Sequence, residues 1–552
     1  MAEAPVPDAA ERDSGKGETA ATIDVTTRFA ILDSSPQPNS NKFLPDAPIK
    51  LTFSAPVAPA SVNASAFQLR EVGGGEIPFS VTSEGTVVTL KPAMKLDLLT
   101  TVMVSVAASV RSVAGETLLS EHQFQFRVVD GKWTGPIDFD GVVPGQTWCD
   151  AAVDFREAAG AVISAAAAAN MGPRPLVAAV RPPNQQLGPA RAVGQSFTAV
   201  GGHIAIAGAD GVVWVLSTVA ADQISASRFI NGAWASVGTV RTGPRSWQAF
   251  QAQPLPEGRL LVIWSQAKTP ELQDQETLWA ATVGKDGWGA AAMLGGTTGL
   301  VDGVATSAAG DSAIVVWREY GEGDFVIFAR RFDRSGWRPL ETIAPRTSRR
   351  NDLGQIMVAL GPLAIALSTD GQAVFVQKEV RPPQSTALVV LSQGKGGNWS
   401  PFRTIHSTAA TGLTASGAIS VRSYAGGTFA AAWNLSGKVW FARSTSSDWK
   451  PLTLGDTAAH SLGFDVDSRG NASLMWVVPE QNGTERLTVA RLPAGRDDVP
   501  TYEVFPTRSE PSHSSSNLRL GARAGGVVAW CESERSLEGI WTNFKLRLRF
   551  FE

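Results

Sequence analysis

The chain has 552 residues, of which 43% are hydrophobic and 18% charged, and its formal net charge is −3. This is a globular balance, and a near-neutral charge lacks the clustered basic face that nucleic-acid binding needs. No apolar run approaches the ~20 residues that span a membrane. The two cysteines and five scattered histidines give no zinc spacing, and no Gly-rich phosphate loop or nucleophile elbow occurs, so no metal or cofactor is expected.

Residues 1–27 hold almost no large apolar side chains and are dominated by Pro, Ala, Glu, Asp and Gly. Such a stretch cannot bury enough surface to offset its ordering entropy, so a disordered arm is expected. No charged-then-apolar leader follows Met1. The expectation is an extracellular or cell-surface protein whose leader has been removed.

Residues 28–129 alternate apolar and polar side chains in IKLTFSAPV, SAFQLREV, TVVTLKP, TVMVSVAASV and HQFQFRVV. About seven short strands in such a span predict a β-sandwich. Ile49 to Val57, Val62, Phe67 to Leu69, Val87 to Pro92, Leu98, Val104 to Val106, Gly115 and Phe124 to Phe126 carry a resemblance. The segment resembles the bacterial Ig-like domains of S-layer and other surface proteins. The resemblance implies a spacer without catalytic residues. It departs where the family has a tyrosine ahead of the penultimate strand, which here reads Thr100-Thr101-Val102-Met103. Only a few residues separate this segment from the next, a linker short enough to predict a fixed relative pose.

From residue 130 onward the chain repeats. Trp234, Trp288, Trp337, Trp399 and Trp449 recur at intervals of 49 to 62 residues, each after a small Gly/Asp/Asn-rich turn. Each unit reads as four short strands, the pattern of a β-propeller blade. Eight units start near residues 150, 199, 247, 301, 355, 416, 461 and 515. Seven result if the first two are one distorted blade. The last unit stops after three strands, while a misplaced copy of the Trp turn, DGKWTGPIDF, lies at Trp133. The fold expected is therefore all-β: a sandwich over 28–129, then an eight-bladed propeller over 130–552 closed by a strand at 131–140. An open ring would leave two unpaired sheet edges. Cys149 begins the first blade and Cys531 ends the second strand of the last. Those positions would meet at the seam, where a disulfide would staple the ring; two buried thiols are the alternative.

Trp264, Trp317, Trp433, Trp476 and Trp530 end the second strands. They read either as an aromatic ring for sugars or as packing between blades, and identical repeat positions usually serve the repeat. The turns ending in Trp288, Trp337 and Trp449 are similar to degenerate sialidase Asp-boxes, which lie away from the catalytic site. A sialidase needs converging arginines and a Tyr nucleophile with a Glu partner. Of three tyrosines, only Tyr320, beside Arg318 and Glu319, sits in a dense charged cluster, and the ordered arginines are not found around it. The loops between second and third strands and between blades are long and charged. Arg346, Arg349, Arg350, Lys378 and Arg381 would form a basic patch for an acidic glycan or protein surface; ordinary solubilising loops are the alternative.

Few ionisable pairs point to a non-enzymatic adhesion or recognition protein, with an Ig-like spacer presenting a propeller that binds a glycan or a protein partner. The alternatives are a sialidase-like enzyme using Tyr320 and Glu319, and a structural subunit of an extracellular assembly.

Overall fold

The computed structural model describes residues 28–552 other than 141–149, 157–158, 167–172, 184, 198–202, 209, 221, 244, 268–275, 297–299, 322–323, 348–358, 382–384, 396, 410–417, 446–447, 456–459, 480–484, 496–499, 506–516, 521–524 and 536–540. The arm expected at 1–27 and Cys149 lie outside the described residues. The chain divides into two compact units, one ending at Asp130 and one beginning at Gly131. Its described regular structure is strand apart from two short 3-10 turns.

In the first unit a four-stranded sheet (Ile31–Ser35, Ile49–Phe53, Val87–Pro92, Phe79–Glu84) faces a three-stranded one (Phe67–Glu71, Thr101–Val106, His122–Arg127). Alternation buries one row per strand. Ile49, Leu51 and Phe53 from one sheet meet Phe67, Leu69, Val104 and Phe126 from the other in one core. At the corner without tyrosine the backbone makes the closure. Thr100 donates its N–H to Asp97 O (3.3 Å), and its own carbonyl accepts from Val128 N (2.9 Å).

Among the described residues of the second unit, eight antiparallel sheets follow in chain order, each ordered first to fourth strand. We number them one to eight. Their first strands are Asp150–Arg156, His203–Ala207, Arg245–Leu255, Leu300–Ala309, Ala359–Leu367, Ile419–Tyr424, His460–Val466 and Asn517–Leu520. Each first strand packs beside the next, and Asn517–Leu520 of sheet eight packs beside Asp150–Arg156 of sheet one. In sheets three, four and six the fourth strand is broken just after the Trp turn into two pieces that both pair with the third.

Polar side chains tie consecutive first strands. Gln251 donates to Val304 O (2.8 Å), Ser307 Oγ accepts from Leu367 N (3.0 Å), and Ser423 Oγ donates to Leu367 O (2.7 Å). Arg422 pairs with Asp465 at 2.9 Å. Between sheets eight and one, Arg519 lies 3.7 Å from Asp154, which also accepts from Ala207 N at 2.9 Å. Burial holds the Asp154 carboxyl above the usual carboxylate range, with Arg156 and Arg519 pulling it back.

Sheet eight draws its fourth strand from the beginning of the unit. Ile137–Asp138 pairs with the third strand, Trp541–Phe551. The ladder extends on both sides. Lys132 N donates to Glu552 O (2.8 Å), Glu552 N to Lys132 O (3.1 Å), Thr134 N to Phe550 O (2.8 Å) and Phe139 N to Leu546 O (3.0 Å). The Trp133 ring packs against Phe551 (5.1 Å) and Phe505 of sheet seven (5.9 Å). The pattern of a Trp turn predicted this partner, since a sheet of three strands would leave an apolar edge uncovered.

Each ladder bond contributes ~0.5–1.5 kcal/mol net, and truncating a half-buried Trp removes roughly 2–3 kcal/mol of burial. Trp133→Ala is therefore expected to lower the unfolding free energy of the 131–552 unit by about 2–3 kcal/mol, and Trp133→Phe by about 1 kcal/mol. Urea denaturation reads this directly, and an unchanged midpoint for Trp133→Ala would mean that the strand adds nothing to the last sheet.

Candidate functional site

The second strands end at one edge of the sheets, where the second-to-third connections and the crossings to the next sheet also lie. Apolar runs such as AIVVW and AVFV bury these strands on both faces, yet their last residues are polar. The tryptophans expected to end the second strands instead stand two to five residues before the strand ends and are sequestered: Trp264, Trp317, Trp433, Trp476 and Trp530 are all 3% exposed or less. A Cβ on Gly295, in the fourth strand of sheet three, would come within 2.5 Å of the Trp317 ring. Only glycine admits the indole there, so this Trp packs between sheets.

Two residues beyond Trp317, on the same face of the strand, Glu319 Oε1 accepts from Trp317 Nε1 (2.9 Å) and from Gly296 N (2.6 Å). The carboxylate thus ties the crossing from sheet three to sheet four. In sheet five Gln377 stands where sheet four has Trp317, and its amide donates to Glu379 Oε1 at 3.4 Å. In sheet six the acceptor comes from the neighbour: Trp433 Nε1 donates to His406 Nδ1 (3.1 Å). His406 lies on the fourth strand of sheet five (Arg403–Ala409), and its ring centroid is 4.0 Å from that of Trp440 on the third strand of sheet six (Lys438–Thr445).

The opposite face of the sheet-four strand carries a different set. Arg318 is buried and donates to Gly361 O of sheet five (3.1 Å), with its guanidinium 5.4 Å from the Phe325 ring. Phe325 sits opposite Tyr320 in register, with ring centroids 4.7 Å apart. Adjacent residues on a strand point to opposite faces. Glu319 therefore points toward sheet three while Tyr320 shares the Arg318 face. The structure brings Arg318, Tyr320 and Phe325 together and places Glu319 away from them.

Of the basic patch read from sequence, Lys378 is 4% exposed, with Nζ 3.5 Å from Asn434 O, and burial lowers the pKa of its ammonium. It belongs to the contact of sheets five and six and not to an exposed loop. Arg381 closes the second strand of sheet five (Ala373–Arg381), and Arg346 lies in the last strand of sheet four (Glu341–Thr347). Both occupy the same end of adjacent sheets. Arg349 and Arg350 lie outside the described residues. The expected disulfide falls on Cys149, also outside them; Cys531 stands opposite Leu546 in backbone register.

Sequence reading missed Phe325, His406 and Trp440, whose neighbours are set by hairpin register. It also left the arginines of the third strands without a role. Arg331 donates to Gly371 O of the next sheet (3.2 Å) and Arg443 to Leu492 O (3.2 Å). Arg491 lies over Phe551 (4.4 Å) and Arg549 over Phe505 (4.2 Å). These guanidiniums join sheets. The Asp-box-like turn at Asp333 lies at the other end of the sheet. Its carboxylate accepts from Ser335 N (2.8 Å), Ser335 Oγ (2.6 Å) and Arg338 Nε (2.6 Å), and these bonds hold it below the usual carboxylate range.

Residues 25–128 match the family model described as bacterial Ig-like domain. No curated protein matches the chain. Among solved structures, the BP39L lectin from Burkholderia pseudomallei is 13% identical at a TM-score of 0.41, covering 65% of this chain and 98% of the lectin. A protein of unknown function from Dyadobacter fermentans is 12% identical at 0.35, covering 55% and 96%. The Hadza microbial sialidase Hz136 is 13% identical at 0.33, covering 59% and 73%. At these scores none of their activities transfers to this chain.

Two outcomes are expected from this geometry. Glu319→Ala leaves two buried donors without an acceptor and should cost about 2–4 kcal/mol, whereas Glu319→Gln keeps an acceptor and costs less; equal losses in denaturation would refute the pairing. Burial lowers the His406 pKa, so the folded chain holds this imidazole neutral. The unfolded chain takes up the proton near the ordinary value of about 6.5. The stability from this group is thus full above that pH and lost as pH falls through it and on through the lower folded pKa. His406→Gln should flatten that acid limb in unfolding experiments at pH 5–7.5.

Proposed function

We propose that residues 131–552 are an eight-bladed propeller, that the Lys132–Phe139 segment completes its last blade, and that the protein is a non-enzymatic recognition protein of the bacterial surface. The eight consecutive sheets and the sequential packing of their first strands, from sheet one to sheet eight and back to sheet one, support the propeller reading. Ig-like domains of the matched family occur in bacterial surface proteins. Among the described residues no helix is long and apolar enough to cross a membrane. In this reading residues 28–129 act as a spacer.

The observation that carries the binding reading is the grouping at the second-strand ends of sheets four and five. Arg381 ends the second strand of sheet five, Arg346 is one residue from the end of the last strand of sheet four, and Tyr320 and Phe325 form an aromatic pair on the side turned toward sheet five. With Arg349 and Arg350 following Arg346 in the sequence, ahead of the first strand of sheet five, this end suits an acidic glycan or an acidic protein surface. A Tyr–Glu couple is a poorer fit, because Glu319 already accepts two hydrogen bonds on the far face of the strand.

A glycan array with the purified chain tests this. Binding should concentrate on acidic glycans, weaken with salt, and drop at least ~10-fold when Arg346, Arg349, Arg350 and Arg381 are all replaced by Ala, which corresponds to about 1.4 kcal/mol. Turnover of a fluorogenic sialoside that Tyr320→Phe abolishes would replace this reading with an enzymatic one.

A further inference from the structure

The rim drops between sheets five and six. In sheet five the second strand runs four residues past Gln377 to Arg381, and in sheet four it runs four past Trp317 to Gly321. In sheet six the strand Thr428–Leu435 ends two residues past Trp433. A two-residue turn follows, Ser436 and Gly437, with φ of 54° and 73°. Two successive left-handed residues make the tightest hairpin turn, a conformation glycine supplies at no steric cost. The taller fourth strand of sheet five therefore stands beside a shorter hairpin, and the step leaves His406 and Trp440 half-buried.

The chemistry at the step is specific. The indole of Trp433 can only donate, so His406 Nδ1 is the acceptor and the neutral ring carries its proton on Nε2. That N–H has no partner among the described residues. Thr408 Oγ and Ser436 Oγ lie 2.9 Å apart across the two sheets, with Ser436 exposed and Thr408 half-buried. Trp440 Nε1 is occupied by Leu435 O (3.4 Å), so its ring offers its apolar surface and not its donor. An indole surface, one ring N–H and two hydroxyls that both donate and accept recur where a polyol with one apolar side is held. Lys378 lies in the same cross-strand row as His406, through Leu388, but is buried with its ammonium near Asn434 O. No charge in this set calls for a charged ligand.

We infer that the step between sheets five and six is a binding site for a neutral pyranose, whose C–H face stacks on Trp440 while its hydroxyls bond His406 Nε2–H and the Thr408–Ser436 pair. This site is separate from the basic end of sheets four and five and takes a different class of sugar.

Saturation-transfer NMR on the full chain, with methyl glucosides, galactosides, mannosides and fucosides in both anomers, tests it. At least one should receive transfer, strongest at the protons of its C–H face. Trp440→Ala should weaken that binding at least ~10-fold, and Thr408→Val, a change of equal shape at a half-buried strand position, about 3-fold or more. Thermal unfolding checks that each variant is folded, and Thr408→Val carries the test if Trp440→Ala is not. No transfer from any pyranoside, or binding unchanged in the folded variants, overturns the inference. A silent pyranoside panel beside a positive acidic-glycan array sinks this site alone. A silent array beside pyranoside transfer lost in Thr408→Val sinks the basic-end reading alone.

Discussion

The arrangement of the second unit depends on a single long-range pairing. The strand that completes sheet eight is made some four hundred residues before its partner, and its backbone groups bond Leu546, Phe550 and Glu552. Everything between those partners must be folded to within a few ångströms of register before the ladder forms, so its loop-closure cost precedes any reward. What offsets that cost is local. Each sheet is a meander of adjacent strands, and each first strand is joined to the next by side-chain hydrogen bonds such as Gln251 to Val304 and Ser423 to Leu367. The sheets are local units, and the pairing of the Lys132–Phe139 segment with Trp541–Phe551 joins the beginning of the unit to its last sheet.

The same economy explains why so many charged side chains are unavailable for ligand chemistry. Glu319, Arg331, Arg443 and Lys378 each reach a backbone group on a neighbouring element. Sheets that pack face to face bury the polar ends of their strands, and buried polar groups are hydrogen-bonded. In a repeat the solution found once is reused, with substitutions: an indole donates to a carboxylate in sheet four, an amide does so in sheet five, and an imidazole accepts in sheet six. The two proposed sites lie where the repeat is broken, at the step beside Ser436 and at the charged ends of sheets four and five.

Much of this architecture is legible in the sequence, because strand alternation and turn residues act over a few positions. The sandwich strands, the Trp turns and the stray copy at Trp133 are local signals. The site is legible only in part. Whether Lys378 is a surface cation or a buried link is decided by the sheet packed against it, which no window of the chain contains. Glu319 and Tyr320 are adjacent in sequence and suggest a couple, yet strand geometry parts them. His406 and Trp440 are far apart in the chain and meet only because Trp440 stands opposite Trp433, whose indole reaches His406.

The covalent path through the completing strand has a mechanical corollary. Residues 28–130 are joined to the second unit through Gly131, and the first structure the chain then enters is the ladder from Lys132 to Phe139. A pull exerted through the sandwich thus loads the bonds to the C-terminal strand before it reaches any other sheet. Residues 546–552 act as a brake on forced unravelling, and the first resistance to such a pull resides in the few amides around Trp133 rather than in the bulk of the repeat.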